Sequence, residues 1–585
     1  KDLLATTTVA RVAALLAGRE RAGEADGAGS ADNAASGPSP APADGTTAAR
    51  ARSGFERRRA TITHMTSAQR RLWVIEQDRG PSPLYAIPLV IDIAGHLSVP
   101  ALQEALVDTV LRHPALRTSY PADDHGDPRP RTWDEASVRE TVRLRRTGAS
   151  PRDPRLIQEL DMGLDLSREL PLRAYLAQDD QSQCLVLVIH HIAADGWSLG
   201  PVLETLSRAY RARFAGLDPR LAAGSAPEPE PEPTDEDLDW WRRYLHDLPD
   251  EIDLPLDRSR PARRDHAGQE VRTRLGRSLT GAVEDLARAH GASPFMVVHA
   301  ALAALLTRCG AGTDVPVGTI GSGRTNASEE QTVGFFANTL VTRTDTSDNP
   351  RMEELVDRVR DSTLRVLEHA GTPFDAVVAA VNPPRSPRRH PLFQVMLVMQ
   401  STGSPRLDTG PGGPAASVRV AGTATSKFDM TWELNGEEDN DESDGVPPGD
   451  ADGPGMSLRL EYATDVLDRP SAEALVAWLR RLLGQMVRDP RSRLWDEPLD
   501  DAAADLARRS ARDMLDYAMS ASAAMADEHP LSLAQALESS LSRHADRPAL
   551  TGADGPSGRS TITYRDLDVR SARVRDALRR AGAGP

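Results

Sequence analysis

Nine consecutive residues, His190-His191-Ile192-Ala193-Ala194-Asp195-Gly196-Trp197-Ser198, gather two imidazoles, a carboxylate and a hydroxyl directly after an apolar run, Cys184 to Ile189, that reads as a strand. Adjacent side chains on an extended chain point to opposite faces, so one histidine can face a cleft while its neighbour turns into the core. Gly196 would permit a tight turn where the strand ends, and functional groups concentrate on loops carried by a rigid sheet. A single imidazole suits proton transfer near neutral pH, or hydrogen bonding to an amine or hydroxyl nucleophile. A metal site is less persuasive, because the set lacks a third ligand and no zinc-like Cys or His spacing accompanies it. Trp197 beside Gly196 reads as packing.

Other candidates must work with this segment. Arg112 and Arg117 lie in RHPALRTSY, and either would be a partner for Asp195, since a buried carboxylate needs one. Their ordinary role is a surface ion pair. Asn338, in VGFFANTLV, reads first as a strand end or cap, with its amide able to face a cleft. The globular region contains no GxSxG elbow, Walker loop, HExxH or dinucleotide fingerprint, which removes the usual grounds for a nucleophilic serine, a bound nucleotide or a zinc hydrolase.

The elements that must position these groups mix helix and strand. Strand-like runs are Tyr85 to Ile93, Cys184 to Ile189, Val315 to Ile320, Phe393 to Met399 and Leu458 to Tyr462. Helical periodicity marks Leu102 to Leu111, Leu199 to Phe214, Ala282 to His290, Pro294 to Leu306 and Met352 to His369. The class is α/β, in two units rather than one core, here divided as 61–240 and 241–500. Three stretches, Glu228 to Asp239, Gly403 to Gly413 and Gly436 to Asp450, are charged or rich in Pro and Gly and read as solvated loops. The apolar spacing in residues 1–18 suits one face of a short helix, 19–60 and 501–530 read as linkers, and 531–585 suggest a helix, a strand and a further helix. Both ends look like pieces of neighbouring domains.

Composition narrows the function classes. The 585 residues carry a formal charge of -16, from 86 acidic against 70 basic groups, which disfavours nucleic acid as a partner. Cys184 and Cys309 are the only cysteines, and no signal peptide or membrane-length apolar run is evident, which predicts a cytoplasmic location and no membrane association. Lys occurs only at positions 1 and 427, a bias read as that of a G+C-rich genome.

As an ordered set, the motifs resemble the condensation domain of nonribosomal peptide synthetases. TSAQRRLW at 66–73, RHPALRTSY at 112–120, HHIAADGWS at 190–198, VGFFANTLV at 333–341, HAGTPFDAVV at 369–378 and RSPRRHPLFQVML at 385–397 follow the family's order. LPLDRSRP at 254–261, SGR at 322–324, SKFDMTWEL at 426–434 and LEYATDVLD at 460–468 extend the resemblance across nearly all of 61–495. The first eighteen residues are similar to the end of a peptidyl carrier domain, and ITYRDL at 562–567 resembles the first core motif of an adenylation domain.

The resemblance implies two chloramphenicol-acetyltransferase-like lobes forming a V-shaped pseudo-dimer with a tunnel between them. An upstream carrier domain would present a peptidyl or aminoacyl thioester and a downstream carrier an aminoacyl thioester, both on phosphopantetheine arms, beside an adjacent adenylation domain. The acceptor amine would attack the donor thioester and form a peptide bond, with no cofactor or metal held by the domain itself. His191 would face the tunnel as base or as orienting group, His190 would support it, Asp195 would form a structural salt bridge with Arg112, and Gly196 would mark a close backbone approach. Arg117, Trp197, Ser198 and Asn338 would support the motif.

The family's fourth motif is replaced by EPEPEPTDEDLDWW, and an acidic insert lies at 436–450. Trp197 before Ser198 disfavours an epimerization domain, and the intact histidine pair disfavours a heterocyclization domain. The alternatives are an epimerase-like member of the superfamily and a degenerate domain that only recruits a carrier or partner enzyme.

Overall fold

An apolar run with no polar alternation can be a strand only where both faces are covered. Gln183–His190 meets that condition, with every residue buried at the centre of a sheet. The computed structural model describes residues 61–496 apart from 152, 154, 161, 325, 401–405 and 437–452, together with 548–553 and 559–563. Within 61–496 the strands of three or more residues are β1 (Ala86–Ile93), β2 (Leu144–Arg146), β3 (Leu172–Gln178), β4 (Gln183–His190), β5 (Gly268–Gly276), β6 (Asp314–Gly321), β7 (Asn338–Asp345), β8 (Val395–Gln400), β9 (Ala416–Val420), β10 (Met430–Asn435) and β11 (Pro454–Ala463). The helices of eight or more residues are α1 (Ser67–Arg79), α2 (Val99–Arg112), α3 (Leu199–Phe214), α4 (Asp235–Tyr244), α5 (Arg277–Ala289), α6 (Pro294–Arg308), α7 (Met352–Glu368), α8 (Phe374–Val381) and α9 (Arg469–Arg488).

The strands form two sheets, ordered β9-β1-β4-β3-β2 and β5-β11-β10-β8-β6-β7. On the first, Leu89, Ile91, Leu187 and Ile189 pack under Leu102 and Leu106 of α2 and Leu203 and Leu206 of α3. On the second, Val317, Leu397, Trp432 and Leu460 pack under α6, whose residues from Phe295 to Arg308 are all buried. Each fully buried aliphatic side chain there contributes about 1.5–3 kcal/mol relative to exposure. Both lobes are therefore sheets covered by helices, as the interleaved pattern predicts.

Two expectations change. The acidic run 228–239 is not simply a solvated loop: Thr234 caps α4 by accepting the Asp237 N–H at 3.1 Å, and Asp235, Glu236 and Asp237 sit in its first turn, where negative charge suits the helix dipole. Trp241 of α4 packs with Phe374, Val377 and Phe393, so a lobe boundary at 240 cuts a helix that belongs to the second lobe. The second correction is β9, which follows β8 in sequence yet pairs with β1, Ile91 opposite Val418, in the first lobe's sheet. Sequence neighbours predict strand pairs only when the connection is short.

Cys184 and Cys309 are both unbridged and buried, one in each lobe. Among the described residues no single helix is long and apolar enough to cross a membrane. Residues 1–60 and 501–530, read above as carrier tail and linkers, lie outside the described residues, as do 437–450 of the acidic insert. Of 531–585, the antiparallel pair β12 (Pro548–Ala553) and β13 (Arg559–Thr563) is described.

Burial holds three histidines neutral: His113 and His390 are pushed down to about 3, and His299 to about 4. The unfolded chain takes up protons at these rings below about pH 6.5 while the folded chain refuses them, so stability is full above that pH and falls as pH drops toward 4. Thermal melts between pH 7.5 and 4.5 should show a melting temperature that decreases monotonically below pH 6.5.

Candidate active site

The end of β4 delivers both histidines. The His190 N–H donates to the Pro171 carbonyl at 3.0 Å and the His191 N–H to the Tyr85 carbonyl at 2.8 Å, which holds the pair against the neighbouring strands where β4 ends and the chain turns. His190 is fully buried. Its Nδ1 accepts the Ile192 N–H at 3.0 Å, which leaves the proton on Nε2, 3.4 Å from the buried Glu76 carboxylate of α1. Gln69, two turns earlier on the same face of α1, donates to the Ile192 carbonyl at 2.8 Å. His190 is thus used up in holding the loop.

His191 is not. It is half-buried, its Nδ1 is enclosed without a hydrogen bond, and its ring meets Phe335 edge-on at 5.9 Å. Burial holds the imidazole well below its ordinary value; the charge of Lys427 adds to this, and the Ala194 backbone opposes it. The ring is neutral near pH 7, the form that can accept a proton or a hydrogen bond.

Asp195 closes the loop, but not with Arg112. Its carboxylate accepts a bidentate pair from Arg324, at 2.7 and 3.0 Å, with Asp195 1 % and Arg324 5 % exposed at the side chain. Ser198 adds its N–H at 3.0 Å and its hydroxyl at 2.9 Å, and the Phe336 N–H lies at 3.1 Å. Ser198 also meets the Gly334 carbonyl and N–H, at 2.9 and 3.2 Å. This is a charge-assisted clasp between lobes, since Asp195 and Ser198 belong to the first and residues 324–336 follow β6 of the second. Arg112, at the end of α2, instead donates to the Ala222 carbonyl, and Arg117 donates to the Trp133 carbonyl at 2.8 Å. Proximity in sequence to a motif did not place either guanidinium beside Asp195.

The SGR segment explains the geometry. Gly323 has φ +64°, and a Cβ there would fall 1.8 Å from the Phe336 carbonyl oxygen. Only glycine lets the loop pass close enough to aim Arg324 at Asp195, while the Arg324 guanidinium stacks 4.4 Å from the Phe336 ring and 6.0 Å from Trp197. Gly323→Ala should cost about 1–3 kcal/mol of stability and lower activity by displacing Arg324, read from melting temperature and turnover together.

Gly196 differs from expectation. It is exposed, its φ is not positive, and a Cβ would meet no protein atom within 4 Å, so the turn does not require glycine. The turn is made by backbone bonds from Ala193 to His190 and from Ala194 to His191. Asn338 begins β7 and clamps the entry to α8, donating to the Ala370 and Thr372 carbonyls at 3.0 and 2.7 Å and accepting the Phe374 N–H at 3.0 Å. Its amide is committed to structure.

The segment 224–230, which leads into the acidic run, is tied down at three points. Gly224 N–H donates to the Arg112 carbonyl at 2.9 Å, Pro227 abuts Gly334, and Glu230 accepts the Ser67 N–H at the start of α1 at 2.8 Å. Sequence reasoning missed Glu76, Arg324 and Lys427. Arg324 was visible in SGR and Lys427 as the one internal lysine, but nothing local shows what either touches.

A family model described as "Condensation domain" matches residues 59–505. The chain is 37 % identical over 442 residues to a dimodular nonribosomal peptide synthase of Bacillus subtilis, covering 73 % of this chain and 18 % of that protein. It is 32 % identical over 540 residues to an isonitrile lipopeptide synthase of Mycobacterium tuberculosis, covering 89 % of this chain and 21 % of that one. The chain thus spans about a fifth of the length of these relatives. Among solved structures, the X-domain from teicoplanin biosynthesis matches with TM-score 0.65 and 29 % identity over 75 % of this chain and 99 % of that one. The two helix-covered sheets, joined where Arg324 reaches Asp195, are accordingly the paired chloramphenicol-acetyltransferase-like lobes of this fold, and the chain belongs to the condensation domain family of nonribosomal peptide synthetases.

Proposed function

We propose that this chain forms a peptide bond between two carrier-bound substrates, with His191 at the reacting centre. The observation that carries the reading is the contrast within the histidine pair: His190 is committed to Ile192 and Glu76, whereas His191 keeps an unpartnered Nδ1 on a ring that is neutral near pH 7. The acceptor nitrogen attacks the donor thioester carbon, the C–N bond forms, the C–S bond breaks, and the proton lost by the amine ends on the released thiol. An α-amine has a reference pKa of about 8, so deprotonation is a modest demand, and holding it against an already activated thioester supplies much of the acceleration. His191 accepts or orients that amine proton. The phosphopantetheine arms belong to the carrier domains, which are the partners of this reaction. The ends of the chain, similar to a carrier tail and an adenylation start, fit that order.

The test is intact-mass spectrometry of a loaded donor carrier and a loaded acceptor carrier mixed with this protein. Condensed product on the acceptor carrier supports the reading; no product over several cognate loadings overturns it. The second reading is recruitment of a partner without condensation. It draws on the likeness to the X-domain, also solved as a complex with OxyB from teicoplanin biosynthesis. Binding of a partner enzyme together with no condensed product would favour it.

A further inference from the structure

The His191 backbone is anchored, its N–H donating to the Tyr85 carbonyl at 2.8 Å, but its ring is not tied down in the same way. Nδ1 is shut away from solvent and bonds to no side chain among the described residues. An imidazole that moves a proton is ordinarily aimed by a hydrogen bond on its other nitrogen, from a carboxylate or a carbonyl. The carboxylates nearest in the fold are committed elsewhere, Asp195 to Arg324 and Ser198, and Glu76 to His190. Orientation of the His191 ring therefore falls to packing.

That packing comes from the other lobe. Phe335 meets the imidazole edge-on, with centroids 5.9 Å apart and planes at 63°, an arrangement that aromatic pairs favour. It is delivered by a segment with little freedom, between β6 and β7 of the second lobe. Gly334 before it bonds through its carbonyl and its N–H to the Ser198 hydroxyl, at 2.9 and 3.2 Å, and the Phe336 N–H after it donates to Asp195 at 3.1 Å.

The side chains of this segment divide between two tasks. Val333 is buried in the first lobe's core and Phe335, two residues on, packs against the same core. Phe336 instead lies 4.4 Å from the Arg324 guanidinium. A Cβ at Gly334 would fall 2.8 Å from Pro227 and 2.9 Å from the Phe336 ring, so the chain passes there without a side chain. The clasp on Asp195 and Ser198 thus carries Phe335 to the imidazole.

We propose that Phe335 is a positioning residue of the His191 site: its ring edge, brought from the second lobe by the clasp, holds the imidazole in the one orientation that encloses Nδ1 and leaves Nε2 for the acceptor amine. The first lobe supplies the imidazole and the second supplies what aims it, so the site is complete only with the lobes joined. The part concerning the amine rests on the peptide-bond reading above; the part concerning the ring stands without it.

The experiment compares the full chain with Phe335→Ala, Phe335→Leu and Phe335→Tyr, each also combined with His191→Ala and checked for folding by circular dichroism. Single-turnover condensation should fall about threefold to tenfold in Phe335→Ala, the worth of one aromatic edge contact, at an unchanged half-saturating concentration of loaded acceptor carrier. Phe335→Tyr, which keeps the ring edge, should recover most of the loss, and Phe335→Leu, which keeps only bulk, should not. In the His191→Ala background, Phe335→Ala should lower the residual rate less than about twofold, because a residue that acts through the imidazole has nothing left to aim. An equal loss in both backgrounds would overturn the proposal, as would a loss confined to acceptor-carrier saturation, which would make Phe335 a wall for substrate. The same proteins are treated with diethyl pyrocarbonate, which acylates neutral imidazole nitrogens, and the His191 peptide is followed by mass. The parent should react at Nε2 alone, and Phe335→Ala faster and at both nitrogens. Acylation unchanged in a folded Phe335→Ala protein would overturn the proposal. Faster acylation in Phe335→Ala, with no condensation by any of the proteins, would support the placement of the ring and overturn the peptide-bond reading instead.

Discussion

His191→Ala should lower single-turnover condensation about a hundredfold to ten-thousandfold, the range of a lost proton-transfer group, while leaving the melting temperature within a few degrees of the parent. The separation of the two effects follows from the structure. The His191 ring is half-buried, its Nδ1 bonds to nothing, and the backbone N–H that anchors it to Tyr85 survives the substitution. His190→Ala makes the reverse case. It removes the partner of a buried carboxylate, Glu76, and the acceptor for the Ile192 N–H, so stability falls along with rate. If His191→Ala loses less than about tenfold, the imidazole only lines the cleft, and alignment of the two thioesters supplies the rate. The assay is product mass on the acceptor carrier, sampled over time at saturating enzyme.

The second large effect belongs to the clasp. Arg324→Ala should destabilise the protein by about 3–5 kcal/mol, because it leaves the Asp195 carboxylate buried without its cation. Asp195→Ala should cost a similar amount by stranding Arg324. The double variant Asp195→Asn with Arg324→Met should recover part of the loss, since removing both charges removes the desolvation penalty that makes each single change severe. Ser198 and the Phe336 N–H remain to hold the amide of the asparagine. Thermal melts report the stability, and turnover of the double variant reports whether the charge or only the closure matters. Arg112→Ala should change either quantity little, since Arg112 reaches the Ala222 carbonyl on the exposed surface. An Arg112 effect as large as that of Arg324 would contradict the assignment.

Local chemistry determined a good deal of this protein. A wholly apolar run ending in HHIAADGWS had to be a covered strand opening into a loop, because no solvated strand lacks polar alternation, and the period-two geometry already separated the two histidines. The helix at 199–214 was legible to the residue from its periodicity. The helix at 235–244 was hidden by its acidic first turn, although the Thr234 cap and the buried Trp241 were present in the sequence as T-x-x-D before W-W. What only the tertiary structure decided were the pairings across long separations. Asp195 meets Arg324 129 residues away, Glu76 meets His190 across 114, and β9 joins β1 after the chain has built most of the second lobe. A carboxylate in a sequence shows that it needs a cation, but a chain rich in arginine offers many, and only the folding of two sheets against one another selects which guanidinium arrives. Lys427 shows the same limit: its rarity was visible in the sequence, and its place over the Tyr85 ring was not.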